Sequence, residues 1–159
     1  MALSFEDFGA KMRKLAEALP ERVNTAKKQI AKTVHNDLLT VTDVDTGEAM
    51  SNWIINPNTA STDVRAPFAP SPRGRFRKAG WEHQTPPDVT RAANIGPAQS
   101  QADAELVAIK PGDSIHITNN VEHIVYMDEG TPGMSAKNFA RREQIIAEGA
   151  LDRVRILQD

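Results

Sequence analysis

A chain of 159 residues with a formal net charge of −2 fits one domain spanning residues 1–159, and its charge gives no global pull toward nucleic acid or an acidic membrane surface. The lack of cysteine excludes disulfides and thiolate chemistry. No apolar run approaches the roughly 18 residues of a membrane span, so no membrane partner is expected, and the acidic start Ser4-Phe5-Glu6-Asp7 reads as an amphipathic helix rather than a basic signal sequence.

Phe5, Phe8, Met12, Leu15 and Leu19 recur at three and four residues, which puts them on one helix face behind Ser4 as N-cap. Pro20 punctuates that pattern, and a second, longer helix is expected to resume it with Val23, Ala26, Ile30, Val34, Leu38 and Val41. The stretch from Thr42 to Trp53 is where the helical pattern stops. Asp45 and Thr46 can bond to their own backbone and Gly47 can take a positive φ, so Asp45-Thr46-Gly47 reads as a tight reversal. Met50, Trp53, Ile54 and Ile55 then suit a half-buried strand closed by Asn56-Pro57.

Asp-Thr-Gly is also the tripeptide that carries the catalytic carboxylate of aspartic proteases. That chemistry needs an apolar strand running into the motif and an apolar pair before a later glycine. Here the approach, Lys32 to Asp37, is polar and helix-periodic, and Asn94-Ile95-Gly96 is a poor second element, so a protease is a remote alternative.

Residues 57–90 hold six of the ten prolines, which fix φ and remove donors, and the window reads as an extended arm inserted between the first strand and the next helix. The arm carries Arg73, Arg75, Phe76, Arg77 and Lys78, followed by Trp81, and these are its expected interaction residues. Cations interleaved with aromatics suit phosphates and unstacked bases, an acidic neighbouring protein, or simply water. Four phosphate contacts would give a salt slope of only about −3.6, a weak signal, so nucleic-acid binding through this arm stays the alternative function rather than the main one.

Regular structure is expected to return with a helix over Ala98–Leu106, a turn at Lys110-Pro111-Gly112-Asp113 and an alternating strand, Ser114 to Thr118, ending at Asn119-Asn120. Val121 to Glu129 leads to a second glycine-rich reversal, Gly130-Thr131-Pro132-Gly133, which aims a last amphipathic helix over about 136–157. His116 and His123 lack cysteine or carboxylate partners at ligand spacing, and the chain has no nucleophile elbow or phosphate-cradling loop. No metal, cofactor or catalytic residue is therefore expected. The fold class is α+β, with flanking N- and C-terminal helices on a small antiparallel sheet.

In order along the chain, Asp45-Thr46-Gly47 with Ser51-Asn52-Trp53, then Gly112 to Asn120, then Tyr126 and Glu129-Gly130-Thr131, then Met134 before a closing helix, resemble the neck and tail-completion (tail-terminator-like) proteins of long-tailed bacteriophages. The likeness covers about residues 25–150. It departs at His123 and Met127, where an aromatic residue or leucine is usual, and in the basic arm. The resemblance implies a non-enzymatic virion protein made in the host cytoplasm, a ring at the head–tail junction that joins the capsid connector to the tail tube. A hexamer is implied, with a dodecamer as the alternative. Its partners would be copies of itself, connector and tail-tube proteins, with contact to passing DNA left open. Independently of the likeness, few aromatics and stripe-rich helices favour burial between copies, and a head-to-tail contact that closes makes a ring.

Overall fold

The computed structural model describes residues 4–70 and 87–154. It opens with α1 (Phe5–Val41), started by a closed capping box in which Asp7 N donates to Ser4 Oγ (3.1 Å) and Ser4 N donates to the Asp7 carboxylate (3.3 Å). The break expected at Pro20 does not occur. The apolar stripe stays in phase across it, from Leu19 to Val23 to Ala26, and Pro20 and Ala16 are both exposed, so water can reach the carbonyl that loses its helix donor. The two halves of this helix are covered very differently, since its buried residues begin only at Asn24.

The Asp45-Thr46-Gly47 reversal forms as expected, with Gly47 at φ 88°. It starts not a strand but one helical turn, α2 (Glu48–Ser51), in which Ser51 N returns to Gly47 O at 3.1 Å. Met50 is thus buried by a helical turn, and β1 (Ile54–Pro57) begins four residues later than the apolar pattern promised.

The helix expected at Ala98 starts much earlier, as α3 (Pro87–Ala108). Prolines were read as breakers, yet one at the first helical position loses no hydrogen bond, and Pro97 inside the helix is exposed. β2 (Ile115–Thr118) pairs antiparallel with β1, Ile54 opposite Thr118 and Pro57 opposite Ile115, and the two make the whole sheet among the described residues. The closing elements are α4 (Ile124–Glu129) and α5 (Phe139–Leu151). α5 is shorter than the expected 136–157. Lys137 N and Asn138 N donate to Met127 O (2.9 Å) and Asp128 O (3.1 Å), so they belong to the α4–α5 junction. After Leu151 the chain turns, and 155–159 lie outside the described residues.

The architecture is mixed, helices around a small antiparallel sheet, broadly α+β. Leu38, Leu39, Met50, Trp53, Val121 and Phe139 form one apolar cluster, and Ala31, Ile55, Ala102, Leu106 and Ile109 a second, with Ile117 packed against both. The C-terminal half of α1 contributes to each, through Leu38 on one side and Ala31 on the other.

Candidate functional site

The turn after α1 is held by groups remote in sequence. A helix leaves its last carbonyls without amide partners, and α1 has no basic residue in its last turn to meet them. Arg91 on α3 supplies that cation, donating to Leu39 O (2.7 Å), Thr40 O (3.1 Å) and Thr42 O (2.8 Å). Thr42 Oγ1 donates to Leu38 O and accepts from Trp53 Nε1 (2.8 Å). Trp53 in turn meets Phe139 edge to face, ring centres 5.2 Å apart. His35 Nε2 lies 3.1 Å from Trp53 O, and burial lowers the histidine's pKa, so the neutral ring donates its N–H there.

Gly47 packs directly on Asn94, where an added Cβ would lie 2.6 Å from the Asn94 amide nitrogen. Asn94 and Asn52 are fully buried, and each holds a backbone unit of the segment 61–70. Asn52 accepts from Arg65 N (2.6 Å) and donates to Arg65 O (2.8 Å); Asn94 accepts from Ala69 N (2.9 Å) and donates to Ala69 O (2.9 Å). Ser51 Oγ accepts from Phe68 N, Asn120 donates to Ser61 O, and Arg65 pairs with Glu105 at 2.6 Å. The expected arm is corrected only at its end, and its middle, 71–86, lies outside the described residues. Its first part, through Pro70, is a strap pinned by amide side chains that stand in for a neighbouring strand, and its end from Pro87 is helix.

Gly130 ends α4 at φ 81°, and an added Cβ there would meet Ala136 N at 2.7 Å, so the second reversal needs its glycine. Thr131 and Met134 close it with mutual backbone bonds, whereas Gly133 has open space around it. Asp128 accepts from Phe139 N (2.5 Å), setting the start of α5.

Among the described residues, these turns border two concavities. One, about 610 Å³, is lined by Asp45, Thr46, Gly47, Glu122, Tyr126 and Met134, so the two reversals singled out in the sequence face the same space. The other is a groove of about 480 Å³, floored by Trp53, Ile117, Ile124 and Phe139 and edged by Asp128 and Glu143. At its edge Arg142 on α5 grips Asp37 on α1 with two bonds, 2.5 and 2.8 Å, which holds the Asp37 carboxyl below its ordinary range. Neighbouring Glu143 has both oxygens buried without a donor to them, and burial, the Asp37 charge and a hydrogen bond that a protonated Glu143 gives Asp37 push its pKa up to about 7.

Of the residues picked from sequence, Asp45, Thr46, Gly47, Gly130 and Gly133 lie in these two turns, while Arg73, Arg75, Phe76, Arg77, Lys78 and Trp81 lie outside the described residues. Arg91, Asn94 and Glu105 were missed, though their spacing with Ala98 and Ala102 on one helical face was a usable signal. His116 meets Ser114 Oγ at 3.2 Å, and among the described residues no three His, Asp or Glu side chains are grouped to hold a metal ion. No described helix is long and apolar enough to cross a membrane. Comparison with family models, with curated proteins and with solved structures gave no match.

Proposed function

We propose that this chain is a non-enzymatic structural subunit of a phage virion, a ring at the head–tail junction that serves as neck, tail terminator or tail-completion protein and joins the capsid connector to the tail tube. The observation that carries this reading is the N-terminal half of α1, a capped helix whose leading apolar residues Phe5, Phe8 and Met12 lie exposed, while Leu15 and Leu19 behind them are half-buried. A subunit that leaves such a helix uncovered gains by assembling. The polar side chains of the resembling motifs also act as pins, Ser51 and Asn52 on the strap and Asn119 on Ala49 O (2.8 Å), which suits a scaffold for contacts.

The proline-rich basic stretch through Arg73, Arg75, Phe76, Arg77, Lys78 and Trp81 is assigned in this reading to contacts with a neighbouring subunit or the next ring, with passing DNA as the competing partner. The test is the mass of the purified full-length chain by native mass spectrometry, with ring images by electron microscopy. A hexamer or dodecamer is expected. A chain that stays monomeric at every concentration, and a phage that joins heads to tails without it, would overturn the reading.

A further inference from the structure

The exposed half of α1 presents a defined shape. Phe5, Phe8 and Met12 are 93%, 55% and 49% exposed and stand at i, i+3 and i+7, the spacing by which an amphipathic helix seats in an apolar groove. Lys11 borders the stripe, and Lys14 follows one turn on along the same flank.

A groove of matching chemistry lies at the other end of the same helix. Its floor is aromatic and aliphatic, its edge carries Asp128 and Glu143, and its volume of about 480 Å³ is of the order that takes large side chains. Both Glu143 oxygens are buried with no donor to them, beside the Asp37 carboxylate, so an incoming ammonium group would displace the proton that Glu143 otherwise shares with Asp37.

The stripe cannot reach the groove of its own subunit. Val34 and Leu38, which line the groove, share one continuous helix with the stripe, and at ~1.5 Å per residue Met12 lies ~33 Å and Phe5 ~44 Å from Val34 along the axis. Filling the groove with this stripe therefore takes two chains. We infer that Phe5, Phe8 and Met12 of one copy occupy the groove between β2, α4 and α5 of a second copy, with Lys11 against Glu143. The two surfaces differ, so the contact is either exchanged reciprocally in a two-fold dimer or runs head-to-tail, closing into a larger ring or propagating. The inference deepens the ring reading and takes from it the identity of the partner.

The chain has no cysteine, so a disulfide reports only introduced thiols. Met12→Cys in one preparation and Val125→Cys in another, Val125 being a half-exposed residue of the groove, are mixed, sized and then oxidised. The contact yields a covalent dimer from the mixture and from neither variant alone, and the double variant yields a ladder that ends at the ring number. Adding Phe8→Asp lowers the cross-linked yield at least tenfold while the melting of the subunit stays in place. Rings without the mixed cross-link overturn the docking and leave the ring reading standing. A mixed cross-link confined to dimers supports the docking and removes the ring. Cross-linking of Met12→Cys with itself shows stripe against stripe and overturns the docking, and so does a yield unchanged by Phe8→Asp.

Discussion

The two halves of α1 carry the same kind of sequence and have opposite fates. Residues 5–22 and 23–41 share one apolar stripe in one phase, yet among the described residues the buried positions of α1 all fall in the second half, which packs on α3, α5 and β2, while Phe5, Phe8 and Met12 stay exposed. Periodicity therefore tells which face of a helix is apolar and is silent on what covers it. The covering elements arrive late in the chain, and among the described residues they reach only the second half. Under the proposed assembly, a single helix is both core and handle.

The contrast breaks most sharply at Leu39, which has no exposed surface. Leu39→Ala is expected to cost about 3 kcal/mol, because the deleted methyl groups leave a cavity between α1 and its covering elements, and chemical denaturation would measure it. An effect below about 1 kcal/mol would mean that the covered half is loosely packed. Gly47→Val comes next, at about 2–3 kcal/mol, since the side chain would adopt a positive φ and press on Asn94. A melting temperature unchanged by it would separate the turn from the frame that holds the strap.

These sites also show what was legible in the sequence. The stripe, the alternation of Ile115–Thr118 and both glycine reversals could be read because each is a local pattern with a local cause. The strap could not, because its backbone is held by Asn52 and Asn94, whose partners are Arg65 and Ala69, and an asparagine at a given position does not reveal which distant amide it will meet. α3 was hidden by Pro87 and Pro97, which count against a helix unless one sits at its first turn and the other where water reaches the broken bond. Arg91 was missed for the same reason as Asn94, since its acceptors are carbonyls at the end of another helix.

Smaller effects sharpen the comparison at the groove. The Glu143 carboxyl, raised from 4.5 to about 7, keeps a proton in the folded chain that the unfolded chain has already released. Stability of the isolated subunit should then fall as pH rises from about 4.5 through 7, the window between these two values. Glu143→Gln should flatten that slope, and a wild-type melting temperature that rises across the same window would contradict it. The smallest effect belongs to the exposed half of α1. Phe8→Ala is expected to change the stability of a dilute subunit by less than about 0.5 kcal/mol, against about 3 for Leu39→Ala in the same helix. A cost near that of Leu39 would mean that the stripe is packed within its own chain.

Hydrogen exchange of the full-length chain, followed from dilute subunit to assembly, tests the division of α1 most directly. Amides of residues 24–41 should be protected at every concentration, while those of residues 5–19 should exchange quickly when dilute and become protected as the mass rises. Equal protection of both stretches in the dilute subunit, or fast exchange of residues 5–19 in fully formed assemblies, would contradict the account.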